Sequence, residues 1–235
     1  MRTILISGAS RGIGRSIAEK LLFEGHQLSL GVRNIQSLTN TNLDPEGEYK
    51  DLVIVNKYDA KEKNDPLNWV EKTIKRFGDI DTLINCAGVF HKTELNFNEG
   101  EEKNIDELWK VNVMGPWLLT RAAWPYLSRK SNSRIITLIS MSGKRSKGTL
   151  AGYTSSKFAL MGLCQTIRNE GWDKGIRVTT ISPSWVNTDM ANEVKSIDKS
   201  LMTQPEDISS IVSSILKLPN SCIPFDISLN CNLEK

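Results

Sequence analysis

Tyr153-Thr154-Ser155-Ser156-Lys157 sets a phenol and an ammonium four positions apart. On a helix that spacing stacks the two side chains on one face. A lysine cation beside a tyrosine favours phenolate and draws its pKa down from about 10 toward neutrality, making Tyr153 a usable proton donor or acceptor. A second chemical feature lies near the other end, in Ser7-Gly8-Ala9-Ser10-Arg11-Gly12-Ile13-Gly14. Glycines crowded between a strand and a helix let backbone N–H groups and the helix dipole converge where a pyrophosphate could sit, a place that a β-carbon would block. The ordinary alternatives are a structural Tyr/Lys pair and a plain strand-to-helix turn. Other chemistries are poorly supplied. Cys86, Cys164, Cys222 and Cys231 form no CxxC pair, and His26 and His91 belong to no ligand-type cluster, so no metal site is expected.

The elements that must position these groups read as short aliphatic strands alternating with amphipathic helices, the pattern of an α/β doubly wound parallel sheet with helices on both faces. About seven strands are expected: Thr3 to Ile6, Gln27 to Val32, Leu52 to Val55, Thr82 to Cys86, Arg134 to Ile139, Arg177 to Ile181 and Phe225 to Leu229. Ile13, Ile17 and Leu21 mark the helix that follows the glycine turn, with Gly25 as its stop. Pro66 opens a helix carrying Leu67, Val70 and Ile74, and Pro205 opens one carrying Ile208, Ile211 and Ile215. Thr39 to Lys50 and Ser128 to Ser133 read as polar connecting loops. The longer polar segment Thr188 to Thr203 follows a strand end, where it is either a lid over a ligand or a surface loop.

In dinucleotide folds an acidic residue about 20 positions past the glycines holds the ribose 2′-hydroxyl, and an arginine there accommodates a 2′-phosphate. Here the second strand ends in Val32-Arg33-Asn34, and Arg11 lies inside the glycine turn. Two guanidinium groups could clamp a phosphate by charge-assisted hydrogen bonds, so NADP(H) is favoured, with NAD(H) left open. Solvated surface arginines are the alternative.

Lys+Arg 30 against Asp+Glu 27 leaves only +3, too weak a field for a nucleic-acid or polyanion binder. No apolar stretch approaches the roughly 18 residues that span a bilayer, and the first residues run directly into Ser-Gly instead of a signal-peptide core. These features point to a cytoplasmic enzyme with no membrane partner. At 235 residues and 39% hydrophobic content the chain suits one core, hence a single domain over residues 1–235.

The strand Arg134 to Ile139 ends in the hydroxyl of Ser140, thirteen positions before Tyr153. With Gly8-xxx-Gly12-x-Gly14, Asn85-Cys86-Ala87-Gly88, Asn112, Tyr153-xxx-Lys157 and Pro183-Ser184-Trp185-Val186-Asn187-Thr188 in this order, the chain resembles the short-chain dehydrogenase/reductase family along essentially its whole length. The resemblance implies a Rossmann fold and hydride transfer between a nicotinamide and a carbonyl or alcohol. It makes Tyr153 the general acid/base, Lys157 its electrostatic tuner and a ligand of the nicotinamide ribose, and Ser140, in preference to Ser142, the donor to the substrate oxygen. Asn112 resembles the residue whose main chain binds a water linked to Lys157, with a helix-kink role as the alternative.

Gly8, Ser10, Arg11, Gly12, Ile13 and Gly14 would then cradle phosphate, and Asp59 would bind the adenine amino group unless it only closes a strand-end turn. Asn85, Ala87 and Gly88 would approach the adenosine ribose and the centre of the cofactor, and Pro183, Val186 and Thr188 would hold the carboxamide. Cys86 and Ser184 depart from the family's Asn and Gly, with an expected effect on cofactor affinity alone. Phe90, Met141, Trp185 and Met190 suggest an apolar substrate pocket. Family members usually form dimers or tetramers through the helices of Asn112 and Tyr153, and Trp117 and Trp124 belong either to that face or to the core. Two other functions fit the same fold: a non-catalytic NADP(H) sensor or scaffold, and a reductase of carrier-linked 3-oxoacyl groups whose carrier meets Lys144, Arg145 and Lys147. Retention of Asn112, Ser140, Tyr153 and Lys157 together argues for catalysis, and a solvated loop is the plainer reading of the basic run.

Overall fold

Aliphatic runs such as Ile4-Leu5-Ile6 and Ile135-Ile136 are buried on both faces, as expected when helices cover both sides of a parallel sheet. The computed structural model describes residues 1–193 and 198–233, without the side chains of 192 and 193. Seven strands are present: β1 (Thr3–Ser7), β2 (Gln27–Val32), β3 (Val53–Lys57), β4 (Thr82–Asn85), β5 (Arg134–Leu138), β6 (Arg177–Pro183) and β7 (Asp226–Leu229). They pair in parallel in the order β3-β2-β1-β4-β5-β6-β7. The order reverses beside β1 and β4, so a crevice opens at their C-terminal ends. The expected strands are all present, β2 with both ends as expected and the others with ends moved by at most two residues.

The helices are α1 (Gly12–Phe23), α2 (Asp65–Phe77), α3 (Glu102–Trp109), α4 (Gly115–Leu127), α5 (Ala151–Gly171) and α6 (Pro205–Lys217). Alternation along β1 divides the core: Ile4 and Ile6 join the cluster containing Ile17 and Leu21 of α1 and Ile208 and Val212 of α6. Leu5 joins Trp69 of α2, Leu119 of α4 and Leu160 of α5 on the opposite face. Helix α1 stops where predicted, with Gly25 at φ 78.

Helix α2 corrects one expectation. Leu67 is 54% exposed, whereas Val70 is buried and Ile74 packs against the core as expected, and Trp69 joins them on the inward face in place of Leu67. The Trp69 indole lies against β2 at Gly31, where a β-carbon would stand 2.6 Å from the ring, and its Nε1 donates to Ser29 Oγ at 2.8 Å. A bulky ring facing a bare backbone is a tertiary pairing that helical periodicity does not contain. The loop after β2 is also less free than its polarity suggested, because Leu43 is fully buried and Tyr49 packs against the core.

A π-helical turn, Lys110–Met114, joins α3 to α4 and places the buried Asn112 at the bend. The ends of the segment after β6 are tied together by Asn187 N to Thr203 O and Thr203 N to Trp185 O, both 3.0 Å. The expectation of a lid over residues 188–203 falls partly on residues outside those described.

Candidate active site

The glycine turn is shaped by close approach. Gly8 has φ 73, and a β-carbon there would stand 2.8 Å from Ala87 N and Cα; one at Gly14 would lie 2.3 Å from Gly8 O. The turn therefore packs directly on the chain leaving β4. Ser7, whose role the sequence did not suggest, locks this junction: its Oγ accepts from Cys86 N at 3.1 Å and Ala87 N at 3.2 Å. The hydroxyl at the end of β1, beside the glycines, was the available signal. Helix α1 begins at Gly12 with no side-chain cap on its first turn. An uncapped helix start behind a bare turn is a fitting seat for a phosphate.

A cleft runs over this turn, walled by Gly8, Ser10, Arg11, Gly12, Ile13, Gly14, Arg33, Asp59, Ala87, Gly88 and Thr188 among the anticipated residues. Tyr58, Lys61, Val111 and Asp189 add to the wall without having been anticipated. Arg33 is exposed at the cleft edge, and Arg11 pairs with Asp189 across 3.3 Å. Asp59 lines the cleft and also closes a turn by accepting from Lys61 N at 3.0 Å. The Asn85 side chain turns away from the cleft, buried toward α4, where Nδ2 donates to Thr120 Oγ1 at 3.4 Å, which leaves only its backbone facing the junction. Strand alternation decides this, since Asn85 ends β4 and faces the helix layer.

A second cavity adjoins the cleft. Ser140, Tyr153, Lys157, Pro183 and Val186 line it, together with Phe90, Met141, Trp185 and Met190 of the expected apolar pocket. The two spaces share Ile13, Cys86, Gly88, Val89, Thr188 and Met190. Tyr153 sits edge-on to Phe90 with ring centres 4.9 Å apart. Ser142 lies in the 3-10 turn Met141–Gly143 and donates its backbone N–H to Ser140 Oγ at 3.1 Å. Cys86 borders both spaces, and burial pushes its thiol up to about 12. Ser184 also lines the second cavity and is fixed by Ser184 N to Leu229 O at 2.8 Å.

Asn112 does not reach either cavity. Its Oδ1 accepts from Val89 N at 2.9 Å, and its Nδ2 donates to Val89 O at 3.0 Å and Ser156 Oγ at 3.1 Å. It thus holds the backbone after β4 against α5.

The electrostatics differ from the sequence expectation. Burial pushes the Tyr153 phenol up to about 12, opposed by a hydrogen bond with Ser140, and pushes the Lys157 ammonium down to about 8. Lys157 Nζ lies 5.7 Å from the Tyr153 ring centre and donates to Leu138 O at 3.3 Å. Desolvation is the leading cause of both shifts, in place of the lysine charge effect that four-residue spacing suggested. Tyr153 keeps its proton at neutral pH. Of the basic run, Lys144 turns away to Asp226 of β7, whereas Arg145 and Lys147 border the second cavity.

A doubly wound sheet with a phosphate-shaped glycine turn at its switch point and a Ser/Tyr/Lys wall beside it defines a dinucleotide-dependent class of protein. The model of the family described as short chain dehydrogenase matches residues 2–199. The chain belongs to the short-chain dehydrogenase/reductase family. It is 36% identical over 217 residues to an agropine synthesis reductase of Rhizobium rhizogenes, covering 92% of this chain and 49% of that protein. This chain thus spans about half the length of that relative. It is 30% identical to a diacetyl reductase [(S)-acetoin forming] of Staphylococcus epidermidis, covering 97% of this chain and 88% of the other. Among solved structures, an alcohol dehydrogenase of the archaeon Thermococcus sibiricus complexed with 5-hydroxy-NADP superposes with a TM-score of 0.88 at 28% identity, covering 97% and 96% of the two chains.

Proposed function

We propose that residues 1–235 work as one domain that interconverts a carbonyl compound and a secondary alcohol, using NADP(H) in preference to NAD(H). The observation that carries this reading is the junction of the two spaces: the cleft over the glycine turn opens at Gly88, Val89 and Thr188 into the cavity walled by Ser140 and Tyr153. The glycine cradle suits a pyrophosphate, and a nicotinamide bound at the junction would supply or accept the hydride. Gly8, Ser10, Arg11, Gly12, Ile13 and Gly14 would hold phosphate, Arg33 with Arg11 the 2′-phosphate, and Asp59 the adenine. Ala87 and Gly88 would pass along the middle of the cofactor, with Asn85 contributing backbone only. Tyr153 and Lys157 would meet the nicotinamide ribose, and Pro183, Val186 and Thr188 the carboxamide. The 5-hydroxy-NADP of the archaeal structure supports this class of cofactor.

Ser140 and Tyr153 donate to the carbonyl oxygen and polarise it. With its phenol held up at about 12, Tyr153 is protonated at neutral pH and gives that proton to the developing alkoxide. The Lys157 ammonium is the nearby positive charge. Donors preset around the oxygen need no reorganisation during the reaction, which is where most of the rate arises. Phe90, Met141, Trp185 and Met190 favour a hydrophobic carbonyl compound.

Trp109, Met114, Trp117 and Phe158 are large apolar side chains exposed on or beside α3, α4 and α5, which supports a homodimer or homotetramer through those helices. Trp124, by contrast, is partly buried and packs against the core. A cytoplasmic location fits four cysteines without disulfides, and no described helix is long and apolar enough to cross a membrane.

Screening aldehydes, ketones and secondary alcohols with NADPH and NADP⁺, following absorbance of the reduced cofactor, tests the reading. Tyr153→Phe should lower turnover at least about 100-fold with NADPH binding kept. Absence of turnover with every carbonyl and alcohol, or full turnover in the Phe variant, refutes it.

A further inference from the structure

Ser140 leaves β5 on extended backbone, and the last sheet bond before it is Ile139 N to Ile181 O at 2.8 Å. Beyond that point the chain is held locally by Gly143 N to Ser140 O at 2.9 Å and Lys144 N to Met141 O at 3.0 Å. On one side the turn presses on α5, since a β-carbon at Gly143 would stand 2.9 Å from Lys157 O. On the other side Lys144 reaches to the edge strand. Its ammonium pairs with the Asp226 carboxylate and donates to Ser228 Oγ at 2.5 Å. Asp226 is itself anchored, its Oδ1 accepting from Thr180 Oγ1 at 2.8 Å and Ser182 Oγ at 3.4 Å on β6.

The Lys144 and Asp226 side chains are 26% and 27% exposed, so the pair is partly shielded from water, unlike an ordinary surface ion pair. Among the described residues no member of β7 lines either cavity. We propose that Lys144, acting through Asp226, is a positioning residue for Ser140: the pair clamps the catalytic turn between α5 and the sheet edge. The proposal rests on the role given to Ser140 above. A hydroxyl that must meet a reacting oxygen tolerates displacements of only a fraction of an ångström, so a turn pinned on one side alone would lose rate without losing the fold.

The test compares wild type with K144M, K144R and D226N. D226N keeps an oxygen for Thr180 and Ser182 while removing the charge facing Lys144. The kcat of K144M should fall about 10- to 100-fold with KM for NADPH unchanged, K144R should recover most of it, and D226N should lower kcat in the same direction. Amide hydrogen exchange at Ser142, Gly143 and Lys144 should quicken in K144M and D226N while the β5 amides stay protected. An unchanged kcat, a loss that K144R does not relieve, or a fall matched by weaker NADPH binding overturns the proposal. If wild type reduces no carbonyl, the functional reading fails, and exchange decides the clamp alone: unaltered protection of the turn would overturn it. If K144M does not fold, D226N carries both readouts.

Discussion

Lys157→Met removes a buried ammonium whose pKa the fold has lowered from 10.5 to about 8. Because the folded value lies below the unfolded one, the unfolded chain binds more protons between the two, and stability rises with pH across that window. At neutral pH the amine is charged in both states and the whole burial penalty is present. The gap between the two values corresponds to about 3 kcal/mol. The variant forfeits the bond from Lys157 Nζ to Leu138 O, a loss of about 1 kcal/mol. Lys157→Met should therefore be more stable than wild type by about 2 kcal/mol at neutral pH, even as turnover is lost. Raising the pH to about 9.5 removes roughly 2 kcal/mol of the wild-type penalty, so the two proteins should converge. Urea unfolding followed by tryptophan fluorescence at a series of pH values, with matching m-values, reads this directly. A variant less stable than wild type at neutral pH, or a difference that does not shrink with pH, would refute the assignment of a costly buried charge.

Three further outcomes are expected. Asn112→Ala removes both bonds to Val89 and the bond to Ser156. It should cost about 3 kcal/mol in denaturant unfolding, and a loss below about 1 kcal/mol would show that the π-turn does not depend on this amide. Gly31→Ala places a methyl 2.6 Å from the Trp69 ring, so it should destabilise by about 1–3 kcal/mol, read as a lowered midpoint. Arg33→Asp should reverse the preference between NADPH and NADH, measured as the ratio of kcat/KM values; an unchanged NADPH preference would remove Arg33 from the 2′-phosphate argument.

Much of the architecture was legible without coordinates. Aliphatic strands alternating with helical periodicity, glycines between the first strand and helix, and prolines at helix starts are local signals, and the seven strands and principal helices follow them. The spacing of Ser140, Tyr153 and Lys157 is equally local, because one strand, one turn and one helix carry all three.

What tertiary structure decided was the environment of those groups. Tyr153 and Lys157 have proton affinities displaced by burial, with Phe90 packed edge-on to the phenol and Leu138 O facing the ammonium, both from other parts of the chain. Trp69 takes a place on the inward face of α2 because β2 offers it Gly31. Asn85 turned into the helix layer, and Lys144 left the basic run for Asp226, 82 positions away. Spacing along a chain sets which side chains can share a face; desolvation and long-range ion pairing depend on what packs against that face, which only the folded arrangement determines.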